Sequence, residues 1–174
     1  MQIQKSQTIN CSAASLWEII GSGYAEVDRW ASNVFLSKPL SGRLSDTSGP
    51  VGGRVCETSQ GTFEEIIVDF DKDARRVAYS VSGKSVPGFV RSILAKMTVS
   101  ESSLNSCQIR MEMDADISAP FNILFGWMMK AQFGKAIDET LEELKFFAET
   151  GNKHARKIEA TKSKAAQKIL SSVS

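Results

Sequence analysis

The chain has 174 residues, 42% of them hydrophobic and 24% charged, which suits one domain with a sizeable core. Its formal net charge of +1 provides no global field for nucleic acid or an acidic partner. Cys11, Cys56 and Cys107 are far apart and form no CxxC pair, which points to reduced, buried thiols rather than a disulfide or metal framework.

Residues 2–9 alternate as a first strand, with Ile3 and Ile9 on one parity. The opening MQIQKSQTI lacks the basic segment and apolar run of a secretory signal. No apolar stretch approaches the ~20 residues of a membrane span, so the expectation is a cytoplasmic protein. Ser12 suits a helix N-cap, and a short helix carrying Leu16, Trp17, Ile19 and Ile20 ends at Gly21 and Gly23. Residues 24–30 predict a second short helical or turn segment closing at Trp30.

Strand-like runs separated by turn chemistry follow. Val34–Leu40 leads into a Ser/Gly/Asp/Pro-rich loop, Ser41–Gly53, and Arg54–Thr58 turns through Ser59-Gln60-Gly61 into Thr62–Phe70. Asp71-Lys72-Asp73 turns into Arg75–Ser82, and Gly83–Gly88 connects to Val90–Glu101. Ser102–Ser106 then leads to the cleanest alternation in the chain. Cys107, Ile109, Met111, Met113, Ala115 and Ile117 share one face, against Gln108, Arg110, Glu112, Asp114 and Asp116. Val77, Tyr79 and Val81, and likewise Ile93, Ala95, Met97 and Val99, extend the same apolar wall. An antiparallel sheet with one dry face results, and its short turns favour a meander.

Pro120 ends the last strand, and helix follows to Gly151. Phe133, Ile137, Leu141, Leu144 and Ala148 form one stripe, with Glu142, Glu143 and Lys145 elsewhere on the surface. The preceding Phe121–Met129 piece is apolar all round, so it must be buried or meet a membrane, partner or ligand. Gly126 and Gly134 are candidate bends. Residues 152–174 carry +5 against −4 for the body, and read as a solvated, partly helical or disordered basic tail. The sharper alternative for the tail is a membrane-surface or nucleic-acid contact.

The run Ile9-Asn10-Cys11-Ser12, Leu16-Trp17, Ile19-Ile20 and Trp30 resembles the opening of the polyketide cyclase/dehydrase and lipid-transport superfamily, also called SRPBCC or START-like. Val51-Gly52-Gly53-Arg54, Gly61, Glu65, Asp71, Arg75 and Tyr79 are similar to its next signature, and Leu141-Glu142-Glu143-Leu144-Lys145 to its closing helix. The resemblance spans about residues 1–150. It implies an α+β helix-grip fold: a curved seven-stranded antiparallel sheet wrapped around a long C-terminal helix, with two short helices after the first strand. The implied ligands are hydrophobic compounds such as lipids, polyketides or aromatics, held between sheet and helix. The expected division is a binding domain over 1–151 and a basic tail over 152–174. No catalytic set is universal in such proteins, so no mechanism is transferred.

Side-chain chemistry narrows the options. The single histidine, His154, stands beyond Gly151, so neither a nucleophilic triad nor a zinc or iron site is expected. No phosphate-cradling glycine run occurs, and no cofactor is expected. Glu65 facing an apolar pocket is a candidate general acid or base, though pairing with Arg54 or Arg75 is the blander reading. Tyr79 on an apolar face needs a partner, either a ligand or a core group. The candidate lining residues are Trp30, Glu65, Tyr79, Ile93 and Met97, with Ile109, Met111, Met113, Phe133 and Ile137. Carriage of a hydrophobic small molecule is the first expectation. An acid–base enzyme using Glu65 and Tyr79 is the second, and an accessory protein acting through residues 121–129 and the tail is the third. A homodimer is left open.

Overall fold

The computed structural model describes residues 1–40 and 49–172. Residues 41–48 of the expected Ser41–Gly53 loop lie outside the described residues. Strand β1 (Gln2–Ile9) is followed by α1 (Ala13–Trp17), a π-helical turn (Glu18–Ser22) and a 3-10 helix (Tyr24–Arg29). Ser12 caps α1, accepting the Ser15 N–H at 3.1 Å. Six strands come next: β2 (Val34–Pro39), β3 (Gly53–Thr58), β4 (Gly61–Asp71), β5 (Arg76–Ser82), β6 (Val90–Ser103) and β7 (Ser106–Ile117). Helix α2 (Ala119–Thr150) follows, and then α3 (Ala155–Lys162) and α4 (Lys164–Ser171).

The sheet order is β1-β7-β6-β5-β4-β3-β2, antiparallel at every pairing. Strands β2 to β7 follow one another in the sheet as the expected meander. The first strand returns to pair with the last over Gln2↔Asp114 to Ile9↔Cys107, which turn chemistry alone does not foresee. Register then lines up apolar rows across the sheet. Ile67, Tyr79, Ala95, Met113 and Ile3 form one row, and Val77, Met97 and Met111 form the next.

Strand β4 departs from strict alternation. A bulge between Ile67 and Asp69 inserts one residue, so Glu65, Ile67 and Phe70 all belong to the inner face. Strict alternation along the strand would set Phe70 opposite Glu65. The ring of Phe70 in fact lies 5.2 Å from that of Trp17, while Val68 is exposed. This irregularity leaves neither parity of residues 62–70 uniformly apolar.

Helix α2 runs unbroken through Gly126 and Gly134. Lys5, an inward position of β1, lies beneath Gly134 and donates to Asp138 at 2.7 Å. Gly151 closes the helix in the left-handed region, at φ 72°, its N–H donating to the Phe147 carbonyl at 2.8 Å. Glu143 is not the surface residue its helical phase suggested. It is 1% exposed, and accepts from the Ser32 N–H, the Ser32 hydroxyl and Arg156 Nε, each at 2.7 Å.

Past Gly151 the chain folds back as two helices. His154 caps α3 by accepting the Arg156 N–H through Nδ1 at 3.2 Å. Lys157 is 1% exposed and donates to the Val34 carbonyl at 2.6 Å. Ala166 of α4 is fully buried. The basic composition suggested solvent on every side, but Arg156 and Lys157 each find a partner on the body.

Glu143→Ala should cost about 1–3 kcal/mol in urea unfolding, because it leaves the Ser32 N–H and hydroxyl without their acceptor. Glu142→Ala, at an exposed position, should cost under about 1 kcal/mol. Burial pushes the Lys157 pKa down to about 8 from 10.5. Between those values the unfolded chain binds one more proton, so the stability this group contributes rises with pH. The unfolding free energy of wild type relative to Lys157→Met should therefore climb from pH 8 towards 10.5. A flat difference would place the ammonium in water.

Candidate functional site

The site begins with a close approach of two strands. At Gly53 a Cβ would overlap the Glu65 carbonyl oxygen, and φ is 159°, so glycine lets β3 lie tight on β4. In that register Arg54 sits directly opposite Glu65. Arg54 Nε donates to Glu65 Oε2 at 2.8 Å and Nη2 approaches the same oxygen at 2.6 Å. The blander reading of Glu65, an ion pair with Arg54, is the arrangement found.

The 3-10 helix lies against this pair. Its Tyr24 hydroxyl donates to Glu65 Oε2 at 3.0 Å, and its carbonyl accepts from Arg54 Nη1. The Arg54 guanidinium stands 4.2 Å from the Tyr24 ring centre and 5.7 Å from that of Tyr79. The two tyrosine rings meet edge to face at 5.6 Å. Arg54 is only 6% exposed and Tyr79 5%. Tyr24 was missed by sequence reading, because a six-residue 3-10 segment has no hydrophobic period to reveal its inner face.

Electrostatics fix the protonation states. Burial works most strongly on Arg54 and against its charge, but Glu65 together with Tyr24, Cys56 and Tyr79 outweighs it and raises the guanidinium pKa. Burial, then the Glu65 charge, raises the pKa of both Tyr24 and Tyr79. Burial also pushes the Cys56 thiol up to about 11. Both phenols are therefore neutral donors at neutral pH. Among the described residues, the Tyr79 hydroxyl makes no hydrogen bond, and all donors to Glu65 converge on Oε2, leaving Oε1 without one.

A cavity of about 80 Å³ opens beside these groups. Of the sequence candidates, Trp30, Glu65, Tyr79, Met97 and Met111 line it, together with Tyr24, Arg54 and Thr140 of α2. Ile109 and Ile137 are buried in the core rather than on the cavity wall. Ile93, Met113 and Phe133 are half-buried and also lie off this wall. Larger hollows of about 620 and 360 Å³ are open surface grooves whose linings include charged residues, Lys130 and Asp138 in one and Lys96 and Glu112 in the other. The smaller space brings Tyr24, Arg54, Glu65 and Tyr79 together beside Trp30, Met97 and Met111, so it is the stronger site. Among the described residues, no group of three His, Cys, Asp or Glu side chains is arranged to hold a metal ion.

The family model described as Polyketide cyclase / dehydrase and lipid transport matches residues 1–149. No curated protein matches the sequence. An uncharacterized protein from Bacillus thuringiensis is similar in structure at 18% identity and a TM-score of 0.69, covering 84% of this chain and 97% of that one. A START superfamily protein from Mycobacterium smegmatis gives 14% and 0.67, with 87% and 99% covered. Norcoclaurine synthase from Thalictrum flavum, as a point mutant in complex with a transition-state analogue, gives 13% and 0.65, with 85% and 93% covered. At these identities the likeness is one of fold.

Arg54→Met should destabilise the protein by about 3–5 kcal/mol, since it leaves the Glu65 carboxylate buried beside no cation. Adding Glu65→Met should recover most of that loss in urea unfolding. A double variant no more stable than the single one would contradict the pairing.

Proposed function

Because the chain belongs to the polyketide cyclase/dehydrase and lipid-transport family and has its START-like helix-grip fold, we propose that it carries or senses a hydrophobic small molecule bearing one polar group. The observation behind this reading is the Tyr79 hydroxyl, which makes no hydrogen bond among the described residues and stands on the wall of a small cavity shared by Trp30, Met97, Met111 and the Arg54–Glu65 pair. A ligand hydroxyl or carbonyl entering that cavity would accept from it in place of water. Glu65 Oε1 supplies an acceptor on the same wall. Residues 1–151 form the binding domain in this reading.

The enclosed space is far smaller than the ~300–1,000 Å³ of a typical ligand pocket. It suits the polar end of the guest. The apolar remainder would lie along half-buried Ile93, Met113 and Phe133, beneath the first half of α2. We favour binding over turnover because the Glu65 carboxylate is already committed to Arg54 and Tyr24 as a structural ion pair and hydrogen bond.

Farnesol, an apolar chain with one hydroxyl, tests this by native mass spectrometry of detergent-free protein. One equivalent should bind. Tyr79→Phe should weaken binding about tenfold, the equivalent of one hydrogen bond. Met111→Asp should abolish binding while the protein remains folded by circular dichroism. Absence of uptake by wild type, or equal uptake by Met111→Asp, would overturn the proposal.

A further inference from the structure

Helix α2 changes character at Gly134. Beyond it, Ile137, Leu141 and Leu144 are buried against the sheet. Before it, Ile123 is 79% exposed and Trp127 77%, and Leu124 and Phe125 are exposed as well. The Gly83–Phe89 connection belongs to the same surface. Phe89 stacks on Phe121 at 4.6 Å, and its carbonyl accepts the Ser118 N–H at 2.9 Å. Exposed apolar area of this extent on a folded protein marks an interaction site.

The chain flanking it is basic, with Arg91 paired to Asp116 and Lys135 to Glu139 at its margins. No acidic residue occurs between Asp116 and Asp138, or between Gly83 and Arg91. Lys84, Arg91, Lys130 and Lys135 are exposed at this surface, and Lys84 and Lys130 have no ion pair among the described residues. Among the described residues, no helix is long and apolar enough to cross a membrane. An exposed Trp with lysines nearby is a residue pairing that settles at a membrane–water interface, the indole at headgroup level and the ammonium groups reaching water.

We propose that the N-terminal half of α2, with the Gly83–Phe89 connection, is a docking face for an anionic lipid bilayer surface. A second copy of this chain fits less well, because self-association would set cations against cations. A groove-forming protein partner fits less well too. The exposed apolar residues surround the helix axis rather than forming the single stripe a groove reads. The basic tail is a poorer membrane contact than its composition suggested, because Arg156 is paired with Glu142 and Glu143 and Lys157 is buried. The proposal concerns the outer surface and stands apart from the cavity reading.

Trp17 and Trp30 are buried, so Trp127 is the one exposed indole of three, and tryptophan fluorescence reports the contact directly. Full-length protein is mixed with phosphatidylcholine vesicles with and without phosphatidylserine, and flotation is measured alongside emission. The expected result is flotation with a blue shift only when phosphatidylserine is present, weakened by added salt. The double variants Ile123→Asp/Leu124→Asp and Lys84→Glu/Lys130→Glu should each lower the bound fraction about tenfold. Their farnesol uptake should persist, which separates this proposal from the cavity reading. No flotation of wild type would overturn the proposal, as would unchanged flotation of both variants. Loss of flotation only in Lys162→Glu/Lys164→Glu/Lys168→Glu would overturn it in favour of the tail. A dimer in sedimentation that Ile123→Asp/Leu124→Asp dissociates, without vesicle binding, would overturn it in favour of self-association.

Discussion

A guanidinium and a carboxylate sealed together inside a largely apolar sheet are the constraint around which this molecule is arranged. Either charge alone would be intolerable there, so Arg54 and Glu65 must meet with good geometry. That requirement explains Gly53, whose missing side chain lets β3 reach β4. It also explains the short 3-10 helix, whose Tyr24 covers the pair and returns both a hydroxyl and a carbonyl to it. A buried ion pair of this kind roughly breaks even against packed hydrocarbon, so stability alone gives little reason to keep one. In the binding reading the pair has a second task, holding an acceptor and two neutral phenols in fixed positions beside a small cavity.

Much of this was legible in the sequence wherever period and burial coincide. Strands β5 to β7 alternate cleanly because each has one dry and one wet face, and their registers follow that parity. Legibility failed where one residue answers to two elements. The β4 bulge shifts parity after Ile67, and only the packing of Phe70 on Trp17 shows why. Glu143 looked like a surface charge because helical phase cannot reveal that Ser32 and Arg156 come to meet it. Lys157 looked like a solvated tail residue for the same reason. Of the site itself, Glu65, Tyr79, Met97 and Met111 were readable from strand parity. Tyr24 was not, because a short 3-10 helix has no period to read.

The pairing of β1 with β7 ties the two ends of the sheet-forming region together. It also sets Lys5 and Ile3 beneath α2. The helix is thereby anchored along its C-terminal half, while its first half stands off as an exposed apolar segment. The all-round apolar pattern of residues 121–129 therefore follows from a helix whose two halves meet different surroundings. One half completes the core, and the other exposes Ile123, Leu124, Phe125 and Trp127.

The most direct test of the central claim follows the methyl groups of the six methionines by NMR during a farnesol titration. The account predicts saturable shifts at Met97 and Met111, which line the cavity beside Tyr79, with loss of Met111 shifts when Tyr79 is replaced by Phe at equal ligand concentration. Shifts confined to Met128 and Met129 on the outer part of α2, or none at all, would contradict it.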